Sequence, residues 1–178
     1  MTKVQILVTG PRLISEGVRA IEPVLEEIIM QVEKEIHIMA YMITPSALPI
    51  LSLIEKVAAR GVRVTILVNN LQSQNPVVVS RLSAIEEKLP HVKIFDFTDL
   101  GNGQLHAKVI VADRRRAVVG SANLSWGGMF SNYEVGLLVE GDAAWKLAEI
   151  IDTLCAGMKQ GTGRRSREGT GFEQAPAE

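Results

Sequence analysis

The run Ile36 to Ile43 (IHIMAYMI) is apolar throughout except for one histidine. A short run with no polar face suits a strand buried on both sides of a sheet, not the edge of a half-exposed one. Such a strand needs a layer above and a layer below it, and the flanking sequence supplies both. Before it, Val18, Ile21, Val24, Leu25, Ile28, Ile29 and Val32 recur at helical spacing. Pro23 lies inside that pattern, so the helix either starts near Glu22 or is kinked there. After it, Ala47 to Arg60 predicts a second helix, with Pro49 tolerated in its first turn and Gly61 as its stop.

The alternation continues along the chain. Val4 to Val8 reads as an early strand ended by Gly10-Pro11, Val62 to Val68 (VRVTILV) as a strand, Val77 to Leu89 as a helix and Val92 to Phe97 as a strand. Leu105 to Ala112 and Ala117 to Ser121 read as two further strands joined through Asp113 and three arginines. Tyr133 to Val139 reads as a last strand and Ala143 to Met158 as a last helix. Strands alternating with helices, then strands in a cluster, predict an α/β fold: a mixed, mainly parallel β-sheet with helices on both faces, in a single domain over residues 1–158. From Lys159 onward the residues turn to Gly, Arg, Thr, Glu and Pro, with Phe172 the one large apolar residue, which predicts a disordered tail over 159–178.

Charge and cysteine content exclude several function classes. The formal net charge of −1 gives no global cationic field, so any anion site must be local. One cysteine, Cys155, excludes an intramolecular disulfide framework and a Cys-based zinc cluster, and its neighbours Ile150, Ile151 and Leu154 predict a core helix position. No stretch approaches the length of a membrane span, and the apolar run near the start is too short for a signal peptide; a cytoplasmic location without membrane insertion is expected.

The polar residues that carry chemistry lie in Leu105 to Ser125 (LHAKVIVADRRRAVVGSANLS). His106 and Lys108 are two apart on an expected strand and so share a face; Ser121 and Asn123 are two apart at the end of the next. An ammonium, an amide, a hydroxyl and an imidazole converging at one mouth of the sheet make an oxyanion or phosphate cradle, and Gly120 would let backbone approach a bound anion.

The spacing His106-x-Lys108-x4-Asp113-x6-Gly120-Ser121-x-Asn123, with Asn132-x-Glu134 beyond it, resembles the HKD motif of the phospholipase D superfamily. The similarity covers roughly residues 4 to 155. It implies a metal-independent phosphodiesterase with no cofactor, working through a covalent phosphohistidine. In that scheme His106 is the nucleophile, Lys108 and Asn123 bind the non-bridging oxygens, Ser121 adds a hydrogen bond, and Glu134 fixes the imidazole tautomer. Asp113 belongs to the same catalytic set as an organiser of the loop rather than a direct participant.

The family's chemistry needs two such histidines, one to attack and one to protonate the leaving oxygen. His37 and His91 lack a lysine two residues on and read as structural and exposed. The resemblance therefore implies a homodimer with a composite site. Arg114, Arg115 and Arg116 read either as a substrate-binding phosphate contact or as a solvated turn. Trp126, Phe130 and Tyr133 suit core or dimer-interface packing, with base stacking as the alternative, and Gly127-Gly128 a flexible turn. The expected activity is an endonuclease on DNA or RNA. The alternatives are a phospholipid phosphodiesterase or phosphatidyl transferase, and a phosphate-binding module in a DNA-processing or phage-defence assembly.

Overall fold

The computed structural model of the chain describes residues 1–14, 17–98 and 103–158. The tail expected from residue 159, with its three arginines and Phe172, lies outside the described residues. Among these, one eight-stranded sheet runs in the order β2-β1-β8-β7-β6-β3-β4-β5. Its strands are β1 (Lys3–Thr9), β2 (Arg19–Ala20), β3 (Glu35–Ala40), β4 (Arg63–Asn69), β5 (Val92–Phe97), β6 (Val109–Ala112), β7 (Arg116–Gly120) and β8 (Glu134–Glu140).

The helices are α1 (Ile21–Met30), α2 (Leu48–Ala58), α3 (Pro76–Lys88) and α4 (Asp142–Ala156). The buried face of α1 is Ile21, Val24, Leu25, Ile28 and Ile29, the spacing that one apolar stripe of a helix requires. Pro23 falls in the first turn, where its missing N–H costs no hydrogen bond, so the helix begins near Glu22 and is not kinked. α1, α2 and α3 pack over Ile36, Ile38, Val64 and Ile66 on one face. α4 packs over Met39, Leu67, Val111 and Ala117 on the other. β3 therefore has apolar layers on both sides, as its continuous run demands. Cys155 sits in the α4 layer, and burial pushes its thiol up to about 12, so it stays a protonated packing group.

The sheet is mixed, but not mainly parallel. β1–β2, β3–β4 and β4–β5 are parallel, whereas β1–β8, β8–β7, β7–β6 and β6–β3 are antiparallel. The reason is the short link between β6 and β7: three residues can close an antiparallel hairpin but cannot carry the crossover that parallel neighbours need. Apart from the two-residue β2 beside β1, the parallel part is β3-β4-β5, where α2 and α3 provide those crossovers.

That hairpin turn explains Asp113. Asp113 and Arg114 both have φ in the left-handed region, at 52° and 55°, a conformation in which aspartate is better tolerated than most residues. The Asp113 carboxylate accepts from the backbone N–H groups of Glu33, Lys34 and Glu35 at 2.9, 2.7 and 3.0 Å, tying the turn to the start of β3. Burial alone would raise its pKa; the three donors and nearby Arg115 outweigh it and hold the carboxyl below its ordinary value. The stability this provides is fully present above the ordinary carboxylate range and is lost as pH falls through the depressed folded value. Asp113→Ala removes the acceptor and strains the turn, and should cost about 3 kcal/mol in urea unfolding, with roughly half that for Asp113→Asn. Both variants should lose part of the wild-type sensitivity to acid.

Candidate active site

The ends of several strands meet at one mouth of the sheet. Antiparallel pairing puts the entry to β6, the exit of β7 and the entry to β8 beside the exits of β3 and β4. His106 and Lys108 lie just before β6. Regular pairing begins only at Val109, later than the strand expected from Leu105, because the chain leaves the ladder there: the Leu105 N–H goes to the Asn69 side chain at 2.9 Å. The last bond toward β7 runs from the Gly120 N–H to the Lys108 carbonyl at 3.2 Å.

His106 and Lys108 are in direct contact. The Lys108 ammonium lies 3.0 Å from His106 Nδ1 and 3.3 Å from Nε2, and donates to the His106 carbonyl at 2.6 Å. An ammonium has only donors, so the ring nitrogen that it meets offers its lone pair. Tyr41, which follows β3, backs the pair: its ring centroid is 4.4 Å from that of His106 and 4.9 Å from Lys108 Nζ. Partial burial lowers the Lys108 pKa, and the negative charge of Glu134 offsets part of that.

Ser121 and Glu134 form a second group beside the first. The Ser121 hydroxyl donates to Glu134 Oε2, and Asn132 Nδ2 donates to Glu134 Oε1 at 3.1 Å. Both Glu134 oxygens are so engaged, and within the chain Glu134 makes no hydrogen bond to His106. Asn123 follows β7, and its Oδ1 is buried without a partner among the described residues. Its backbone is held by Gly128, in a single π-helical turn over Gly127–Ser131, where an added Cβ would collide with the Asn123 carbonyl and sit 2.7 Å from its nitrogen. Gly128 thus marks a close approach of backbone to backbone, whereas Gly127 faces only the Asn132 side chain.

Several expected site residues are elsewhere. Asp113, Arg114, Arg115 and Arg116 sit in and beside the β6–β7 turn at the far end of the hairpin, roughly 17 Å along the strand from Lys108. They cannot share its phosphate: Asp113 organises the turn, as a non-participating member of the motif would, and the three arginines lie in and beside that turn, away from His106. Arg114 is committed to Glu35 at 2.6 Å and Asp152 at 2.5 Å, which locks the turn to α4. Gly120 is also explained by packing: an added Cβ would lie 2.7 Å from Gly136 Cα and from the Val135 carbonyl on β8. His37 is buried under α4, 3.1 Å from Asp152, as a structural residue; His91 is half-buried and donates to the Ala58 carbonyl at 2.7 Å. Tyr41 is the site residue that sequence reasoning missed. Its only signal was being the one polar-tipped aromatic in an otherwise aliphatic run.

The architecture is that of NucT from Helicobacter pylori, which it matches with a TM-score of 0.73 over 90% of this chain and 99% of that one, at 22% identity. The family model described as "Cardiolipin synthase, PLD-like domain" matches residues 25–155, well over half of the chain. The chain belongs to the phospholipase D superfamily, a family of phosphodiesterases. Among curated relatives, the DISARM protein DrmC of Bacillus paralicheniformis is 29% identical over 84% of this chain. The chain spans 62% of that relative's length. The 5'-3' exonuclease PLD3 of Xenopus tropicalis is 32% identical over 45% of the chain, which corresponds to 16% of PLD3.

Proposed function

We propose that the chain is a homodimeric nuclease that cleaves phosphodiester bonds without a metal, through a covalent intermediate on His106. The observation that carries this reading is the Lys108 ammonium lying against the His106 ring at the mouth of the sheet, in a phosphodiesterase family. The imidazole is the attacking group, and the lysine supplies beside it the positive charge that a pentacoordinate phosphorane develops a need for.

In the first step a ring nitrogen of His106 forms a bond to phosphorus and the P–O bond to the leaving alcohol breaks. The alkoxide takes a proton from His106 of the partner subunit. In the second step the partner's His106 takes a proton from water, whose oxygen displaces the imidazole and closes the cycle. Lys108 neutralises the phosphoryl oxygens. Asn123 contributes an amide whose Oδ1 has no partner among the described residues, and the Ser121–Glu134 pair fixes the β8 wall of the site.

One chain has one such histidine, and an apolar belt flanks it. Trp126, Phe130 and Tyr133 are exposed, so they are not core residues, and Trp126 stacks on Phe130 with centroids 4.6 Å apart. Val135 and Leu137 on β8 and Ile6 on β1 are exposed as well, with Ile6 directly opposite Leu137. Exposed apolar residues beside half a site are what a second copy would cover.

Nucleic acid is favoured as substrate by the relative named as an exonuclease, and phospholipid is kept as a second reading by the family model's own description. Among the described residues no helix is long and apolar enough to cross a membrane. The test is to incubate the full chain in EDTA with labelled single- and double-stranded DNA and, in parallel, with phosphatidylglycerol vesicles. DNA cleavage that persists in EDTA, without lipid turnover, is expected. Lipid turnover with intact DNA would transfer the proposal to the second reading, and DNA cleavage abolished by EDTA would contradict the metal-free chemistry.

A further inference from the structure

Beside the His106–Lys108 pair opens a cleft of about 530 Å³, at the carboxyl ends of β3 and β4. Crevices outside the carboxyl ends of parallel strands are where α/β sheets hold their ligands. The cleft adjoins the reacting pair: Tyr41 forms one wall and packs against His106, and Gln104 forms another, two residues before it.

Its lining is unusual for a protein that handles phosphate, because no residue around it carries a charge. Its polar groups are amides and hydroxyls, set beside the apolar Met42, Ile43 and Pro45, and those amides and hydroxyls include two contrasting sets. Gln74 is consumed by structure: it donates to the Tyr41 and Asn69 carbonyls at 3.1 and 2.8 Å and accepts from the Ile43 N–H at 3.0 Å. The side chains of Asn70, Ser73 and Gln104, by contrast, make no hydrogen bond among the described residues. Asn70 is held in the left-handed region, at φ 43°, in the tight turn after β4, so its position is set by the backbone.

We infer that this cleft binds an unpaired nucleobase next to the scissile phosphate, read by the free amides of Asn70 and Gln104 with Ser73. This deepens the proposed nuclease function and rests on it. A second phosphate would require a cation, and none lines the cleft. A diacylglycerol would require walls apolar throughout, whereas here Met42, Ile43 and Pro45 are interleaved with free amides and hydroxyls. A base edge presents adjacent donors and acceptors, which asparagine and glutamine pair two at a time, and the space is that of a typical small-molecule site. The edge is available to a recess of this kind only when the base is out of a duplex, so the inference specifies single-stranded substrate.

The test compares two esters in each protein: the para-nitrophenyl esters of deoxynucleoside monophosphates, which fill the cleft, and methyl para-nitrophenyl phosphate, which does not. The readout is the ratio of kcat/KM for the nucleoside ester to that for the methyl ester, a quantity independent of how much protein is folded. Asn70→Ala and Gln104→Ala are each expected to lower that ratio by roughly tenfold and to flatten its dependence on the base. An unchanged ratio, with the nucleoside esters still hydrolysed, overturns the cleft inference and leaves the nuclease standing. Turnover of phosphatidylglycerol vesicles by the parent protein, with every nucleoside ester and oligonucleotide untouched, overturns both together.

Discussion

His106→Ala should reduce phosphodiester hydrolysis by roughly 10⁴-fold or more, because no other described group at the mouth of the sheet can take over attack on phosphorus. Lys108 sits against the ring, but a protonated amine has no lone pair, and Ser121 is engaged with Glu134. The dimer makes a sharper form of this prediction. If one composite site needs His106 from both chains, subunits of wild type and variant that exchange freely in equal amounts should retain about a quarter of the wild-type activity, the share of dimers with both histidines. Independent sites would retain about half. The measurement is activity against mixing ratio at fixed total protein: a quadratic fall supports the shared site, and a linear one contradicts it.

Gly128→Ala should disable the site without touching a reacting group. The new methyl group would overlap the Asn123 carbonyl oxygen and crowd its nitrogen at 2.7 Å, and backbone cannot yield as a flexible side chain can. Either the π-helical turn over Gly127–Ser131 opens or the segment carrying Asn123 moves out of line. The expected cost is about 3 kcal/mol of stability, the upper range for overpacking, together with a fall in kcat larger than any change in KM. Gly127→Ala is the internal control: its Cβ would meet only the Asn132 side chain, at 3.0 Å, and a side chain can rotate away. Equal tolerance of both substitutions would show that Asn123 is not held as described.

The layers of the fold were legible from periodicity, because continuous apolar strands and three-four spaced helices leave few ways to bury themselves. The run Ile36 to Ile43 and the stripe Ile21 to Ile29 carried that information in full. Strand direction was less legible. Direction depends on connection length, and the three-residue β6–β7 link sets an antiparallel pair, one of four that the early alternation of strands and helices does not announce. The site divided in the same way. His106 and Lys108 were identifiable as neighbours from their spacing, and their contact does not need the regular strand on which that spacing was first placed.

Asp113 and the three arginines share the same sequence window but not the same place, because a strand of four residues carries them to the opposite end of the sheet. A motif read along the chain cannot distinguish a residue that touches the reaction from one that shapes the hairpin behind it. Glu134 shows the converse limit. Its position beside the site was legible, but its partners depend on Ser121 and Asn132 taking its two oxygens. Tyr41 and the neutral cleft beside it come from three separate segments, so no local pattern marks them.

The most direct test of the account is to trap the intermediate. The full chain is mixed with excess single-stranded oligonucleotide in EDTA, quenched in alkali within the first turnover, and its intact mass and peptide map are read. The account predicts a nucleotidyl adduct on His106, stable in alkali, released by acid, and absent from His106→Ala. Rapid cleavage in EDTA with no adduct at any time, or an adduct that persists in His106→Ala, would contradict it.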